Sequence, residues 1–397
     1  MKYNVYEEAI VILDDFVKNK ISNYSKLRNY DYGLVNPIKG VSGLSHFISK
    51  GIIREYSILN YIKKNKVSSE KYIQEILWRT YWKGWLESHK EVWDKYKNNL
   101  FEQLENITTN EQYDLYDKAI NGKTKIEPFD YWIEQLKSTG YLHNHARMWF
   151  SSIWIHNFAL PWELGAKLFY DHLLDADIAS NTLSWRWVAG IQTIGKKYLA
   201  KKDNINKYTF NRFNNFKLPS VKNICFEEVS HTTNSIDYNN SNKLDENEKN
   251  IIIVFENNLS FDFIKNNKKN ILLIVFIRIQ SKLINKSTIT RNFQKRCNND
   301  FLELCKKNNI IVKEFEINKS FTNLINFIKS KKIKKVYSEY VPLGFEKDIM
   351  NEVRFELNNH NISYLEILGE FYKASWVYCN KGFFNFKKNF DKLLKII

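Results

Sequence analysis

Hydrophobic positions recur at three- and four-residue spacing through the first half of the chain, the mark of helices that bury one face. Residues Tyr6 to Asn19 follow this period, and a loop rich in breakers (Gly33, Pro37 and Gly40) comes next. Ser69 to Asn98 reads as one long helix or a kinked pair. Leu100 to Lys118 is polar and poorly patterned. From Thr139 to Leu199 polar residues are set among aromatics at helical spacing. Residues 218–249 are poor in apolar side chains and rich in Asn, Ser and acids, which reads as a linker or surface excursion. The pattern then changes. IIIVF (251–255) and ILLIVF (271–276) are unbroken β-branched runs of the kind found in buried parallel strands. IIVKEFEI, KKVYSEYV and NISYLEI continue the strands, with helical stretches FLELCKKN, FTNLINFIKS and FEKDIMNEVRFELNN between them. The expected architecture is an N-terminal all-α domain (1–217), a polar linker (218–249) and a C-terminal α/β domain with a mostly parallel sheet (250–397).

Composition adds a partner class and removes several chemistries. The formal net charge of +16 favours a polyanion, although the Lys-, Asn- and Ile-rich composition also fits an A·T-rich genome. The four cysteines (Cys225, Cys297, Cys305 and Cys379) form no CxxC pair, so zinc, iron–sulfur and disulfide frameworks find no support, and free thiols in a reducing cytoplasm are expected. No apolar run approaches ~18 residues, so no transmembrane span is expected, and the N-terminus lacks a signal-peptide apolar region. GKT at Gly122–Thr124 is not a phosphate loop, because Asp117 stands where the first glycine belongs. No GxGxxG follows the first strand, which leaves a Rossmann dinucleotide site unsupported. His143 and His145 diverge on a helix, and His172 with Asp175 lacks a third ligand, so no metal site is expected.

The stretch from Thr139 to Leu199 is too polar for a plain helical core. Asn144, His145, Arg147 and Met148 stand among aromatics, and Asp175, Asp177 and Asn181 stand beside Trp185 and Trp187. Asp177, Asn181 and Trp185 are four apart and on one helix would share a face. A carboxylate at such depth needs a cation, and Arg147 is the candidate partner of Asp175. Taken singly, each residue also fits a helical core with satisfied polar groups.

The order TGYLHNHARM, LPW, LLDADIASN and WRW resembles the flavin-binding domain of the photolyase/cryptochrome family. The resemblance implies a bound FAD. Asp175 would pair with Arg147, Asp177 would hold the polar edge of the isoalloxazine, and Asn181 would face its reactive nitrogen. Trp185 and then Trp162 would form an electron-transfer chain whose distal member is open among Trp93, Trp154 and a tyrosine. Ser42, Gly43, Leu44 and Ser45 look like the family's phosphate clamp, with Val41 in place of its threonine, and Tyr30 lies roughly where a phosphate-contacting tyrosine is found. KYIQEILWRTYW resembles the motif in which Glu75 bonds a pyrimidine lesion, Trp78 stacks on it and Arg79 contacts the flavin phosphates or nearby backbone; Thr80 replaces an acid there. Trp187 would line the lesion pocket. FENNLSFD and KGFFNFKKNF look like remnants of the family's α/β domain, which normally precedes the flavin domain, so the domain order reads as permuted.

The resemblance implies light-driven repair of cyclobutane pyrimidine dimers, a carbon–carbon lyase reaction on damaged DNA. Asn144 and Met148 keep the residues associated with that lesion rather than the (6-4) product. The alternative is a cryptochrome-like blue-light photoreceptor that binds FAD without repair. The antenna chromophore is left open. The Lys196–Lys197 and Lys201–Lys202 doublets and Arg186 are candidate phosphate contacts. A cytoplasmic monomer is expected.

Overall fold

The computed structural model describes every residue except 1–2, 108–111, 194, 225, 227–232, 234–241, 280–282 and 318–319. Cys225 and much of the expected linker therefore lie outside the described residues. From Val5 to Tyr208 the elements are all helical. The first helix, Val5–Asp15, opens on an Asn4 capping box with Glu7 and buries Val5, Ala9 and Leu13 at four-residue spacing. The expected long segment is a pair, Glu70–Ser88 and Lys90–Asn106, broken at His89, whose ring lies 2.7 Å from the Trp85 carbonyl. The stretch after Leu100 is more ordered than its pattern suggests. It is helical to Asn106 and again over Tyr113–Ile120, where Ala119 is the buried residue. A helix with so narrow an apolar face leaves little periodic signal.

Five parallel strands follow: β1 (Asn250–Phe255), β2 (Ile271–Ile279), β3 (Ile311–Ile317), β4 (Lys335–Glu339) and β5 (Ser363–Ile367). Their order is β3-β2-β1-β4-β5. The central β1 is buried at every position, which explains its unbroken apolar run. β3 is an edge strand and keeps Lys313, Glu314 and Glu316 on it, charges that blunt an open edge.

The order reverses between β1 and β4, where open α/β sheets leave a crevice at the carboxyl ends of the strands. Here the helical domain fills it. Arg54, only 7% exposed, donates to Asn258 Oδ1 (2.7 Å) and Ser260 Oγ (3.2 Å) beyond β1 and pairs with Glu339 at the end of β4. Nearby, Glu87 accepts from the Tyr340 hydroxyl (2.7 Å) and the Leu343 amide (2.6 Å). The helix Glu370–Trp376 then returns to the helical domain, where the Tyr372 hydroxyl donates to Glu55 at 2.5 Å. Gly84 permits this approach: a Cβ there would lie 2.6 Å from the Trp376 ring and 2.8 Å from Cys379 Sγ. Cys297, Cys305 and Cys379 are buried free thiols, and burial pushes each thiol up. Among the described residues no helix is long and apolar enough to cross a membrane.

Candidate functional site

The expected charge pair forms. Arg147, on the helix Asn144–Ser152, donates from Nη2 to Asp175 Oδ2 at 3.0 Å and from Nε to the Leu142 carbonyl at 2.8 Å. Burial pushes the Asp175 carboxyl up. The Arg147 charge outweighs this, helped by the Ser45 hydroxyl and Arg79, so the carboxyl titrates below its ordinary range. Ser45, Arg79, Arg147 and Asp175 thus meet from four separate stretches of chain.

The serine segment opens a short helix without a side-chain cap. The short helix begins at Ser45 itself with Leu44 as its cap residue, and Ser42 Oγ accepts from the Leu44 amide at 3.4 Å. Gly43 has φ +71°, the left-handed turn that delivers Leu44 to full burial. The Ser42 hydroxyl faces Tyr72. Arg79, whose charge is felt by both Asp175 and Tyr72, has a buried Nη1 with no hydrogen-bond partner among the described residues. A buried guanidinium nitrogen left open near the groups that Ser42 and Ser45 face suits an anionic oxygen, so these residues fit the pyrophosphate of a dinucleotide such as FAD.

Asp177 is not inside the helix with Asn181 and Trp185 but caps it. Its Oδ1 accepts from the Ser180 amide at 2.8 Å, and the helix runs Ile178–Ala189. Asn181 donates its amide to the Ala166 carbonyl at 2.7 Å. Trp185 is buried, its Nε1 lacks a partner, and its ring meets Phe169 (5.1 Å) and Trp154 (6.3 Å). Trp162 packs instead on Tyr96 at 5.5 Å, and among the described residues it shares no ring contact with Trp185. Trp93 lies beyond Tyr96, again at 5.5 Å.

Three residues were missed. Lys83 lies 3.0 Å from Glu55 and 4.0 Å from Asp177. Glu55 is fully buried, which alone would push its carboxyl up, but Lys83 and Arg79 hold it down at about 2. His46 is pushed down to about 4 by burial, against the pull of Asp175. Lys83 was findable: Glu75, Arg79 and Lys83 are four apart on one helix. Glu55 and His46 carry no local signal.

The lesion-facing residues are less open than expected. Glu75 is paired with Arg28 at 2.6 Å and Lys71 at 3.4 Å. One face of Trp78 is covered by Phe383, centroids 3.4 Å apart and planes within 7°. Trp187 stacks on Tyr198 at 5.5 Å. Asn144 is exposed and points its amide at Met148 Sδ, 3.6 Å away. His143 caps this helix and its Nε2 lies 2.9 Å from the Arg28 carbonyl. Tyr30 does not join the serines; its ring packs on Tyr208 (5.2 Å) and Phe210 (5.0 Å), because the Asp31 amide ties the loop to the Tyr208 carbonyl. Arg186 is no phosphate contact: it is 6% exposed and donates to Gln192 Oε1 at 3.1 Å, near Glu163. Lys196, Lys197, Lys201 and Lys202 are all exposed.

Comparison with known proteins bears on this arrangement. Residues 72–216 match the profile of the FAD-binding domain of DNA photolyase. A deoxyribodipyrimidine photo-lyase of Buchnera aphidicola is 25% identical over 254 residues, 60% of this chain and 49% of that protein. One from Neurospora crassa is 30% identical over 194 residues, 46% of this chain and 30% of the relative. A cryptochrome DASH of Danio rerio is 30% identical over 183 residues, 44% of this chain and 33% of the relative. A crystal structure of a bacterial class III photolyase from Agrobacterium tumefaciens aligns over 51% of this chain and 42% of its own, with 23% identity and a TM-score of 0.40. The chain spans half or less of the length of each of these relatives. The segment that carries Arg79, Arg147 and Asp175 thus matches the FAD-binding domain of DNA photolyase, and the relatives it is similar to include photolyases and a cryptochrome.

Proposed function

We propose that this protein is a flavin-dependent photolyase that splits cyclobutane pyrimidine dimers in DNA. The observation that carries the reading is the convergence of Ser45, Arg79 and Arg147 on Asp175, within a segment that matches a photolyase FAD-binding domain. Ser42, Ser45 and Arg79 would hold the FAD pyrophosphate, and Asp175, Asp177 and Asn181 would line the isoalloxazine. When bound and reduced, FAD supplies a light-excited one-electron donor. The chain supplies position and charge. Arg147 keeps Asp175 ionised at the site, and Lys83 with Glu55 keeps a second ion pair beside Asp177. Trp185, buried and with no hydrogen-bond partner at Nε1 among the described residues, would pass an electron inward. A dimer flipped out of the duplex would lie near Glu75 and Asn144. Repair would break the dimer's two inter-pyrimidine carbon–carbon bonds with no net change of oxidation state.

The test is spectroscopic and then enzymatic. The purified chain should be yellow, and its reduced form should restore a thymine-dimer oligonucleotide under blue light. Absence of repair by the fully reduced, flavin-loaded protein overturns the reading. A second reading, a photoreceptor without repair, is favoured by one observation: Phe383 already covers a face of Trp78. It predicts a light-induced flavin response with no dimer splitting.

A further inference from the structure

Phe210 is unusual on two independent counts. It is 55% exposed, and both it and Asn211 have φ +56°, a left-handed conformation that a bulky L-residue adopts only under constraint. The constraint is visible. The Asn211 amide closes on the Asn206 carbonyl at 2.8 Å, and Arg212 is anchored on the Asp31 carbonyl at 2.7 Å. The ring packs on Tyr30 and Tyr32 but stays more than half exposed, so its burial offsets little of the strain. Strain of this kind clusters at ligand-binding sites, which makes an outward-held ring a candidate contact.

The ring is not isolated. Tyr30 stacks on it at 5.0 Å with planes 21° apart, and Tyr32 meets it at 5.1 Å. Cations border the group: Lys39 lies 4.7 Å from the Tyr32 centroid and Lys207 lies 5.3 Å from that of Tyr208. The patch is continuous with the candidate site, because Tyr208 packs on His145 at 5.0 Å, next to Asn144, and Arg28 links the same loop to Glu75. An exposed aromatic step with flanking ammonium groups, on a chain of net charge +16, combines the two elements of single-strand binding: a π-face for the base and cations for the phosphates.

We infer that Phe210, with Tyr30 and Tyr32, forms a platform on which an unstacked base of a single DNA strand stacks, with Lys39 and Lys207 tracking its backbone. Its placement beside a flipped dimer rests on the photolyase reading; the platform itself does not. The probe is an undamaged, dye-labelled dT oligonucleotide of about ten nucleotides, titrated by fluorescence anisotropy at two salt concentrations. Phe210→Ala should weaken binding about tenfold, and Phe210→Trp should restore it. Lys39→Gln with Lys207→Gln should flatten the salt dependence. Phe210→Trp controls for folding, since it keeps a ring of the same role. Wild-type affinity in Phe210→Ala overturns the platform, as does equal loss in Phe210→Trp. A change in sedimentation with unchanged DNA affinity also overturns it, in favour of a protein contact. Loss of oligonucleotide binding in a protein that repairs no dimers would sink the photolyase reading and keep the platform; dimer repair with unchanged binding would do the reverse.

Discussion

Phe383 lies flat on Trp78, 305 positions earlier in the chain, with centroids 3.4 Å apart. Tyr81, one helical turn on, presents its ring to the same phenylalanine at 5.3 Å and donates its hydroxyl to the Lys381 carbonyl at 2.8 Å. The segment from Lys381 therefore seals the aromatic face of Glu70–Ser88. Replacing Phe383, which is 5% exposed, with alanine should cost about 3 kcal/mol, read as a lower thermal midpoint. Under the photolyase reading it should also raise affinity for dimer-containing DNA by freeing the Trp78 face. A lower midpoint with unchanged dimer affinity would show that Trp78 is not the lesion platform.

Arg147→Ala should leave Asp175 buried without its cation. Breaking such a pair costs about 3–5 kcal/mol, much of it the penalty of the stranded carboxylate. Arg147→Ala with Asp175→Asn should recover part of the loss, because the uncompensated charge is gone. Chemical denaturation of the three proteins checks this. A double variant no better than the single one would show that the pair matters through packing.

Acid should unfold the protein partly through Glu55. Its folded value, about 2, is below its ordinary 4.5, so the stabilisation is present above the unfolded value and is lost as pH falls toward the folded one. The shift corresponds to about 3 kcal/mol. Glu55→Gln should flatten the fall in stability between pH 5 and pH 2, approximately. An unchanged acid limb would place the acid sensitivity elsewhere, Asp175 being the next candidate.

Gly165→Ala should disturb the tryptophan pair. A Cβ there would lie 2.3 Å from Trp185 Cη2 and 3.0 Å from Trp154 Nε1, in a core with no room to give. A loss of about 1–3 kcal/mol is expected, with a shifted near-ultraviolet tryptophan signal. Gly382→Ala is the control, since nothing lies within 4 Å of its Cβ and its φ is −60°. Equal effects of the two substitutions would contradict the packing described around Trp185.

Much of the site was legible because it is local. Asp175 and Arg147 declare themselves as a charge pair, since a carboxylate and a guanidinium in apolar helices have few other ways to be satisfied. Glu75, Trp78 and Arg79 share one helix, so spacing alone groups them. Asp177 was misplaced by one residue. Spacing of four cannot tell the first helical residue from the cap before it, and only the Ser180 amide on its carboxylate decides. Tyr30 was misplaced by more, because loop lengths say nothing of direction until the Asp31–Tyr208 backbone bond fixes the turn.

What the sequence determined by itself is what repeats at short range: helices before Tyr208, buried parallel strands after Asn250, and the Arg147–Asp175 charge pair. These follow from periodicity and from the need of buried charges for partners. Tertiary structure alone decided what covers what. Arg54 fills the crevice between β1 and β4, Phe383 covers Trp78, and Phe210 is held out in solvent against its own backbone preference. Each depends on surfaces brought together from distant parts of the chain, and no local pattern encodes which of two apolar faces will find the other.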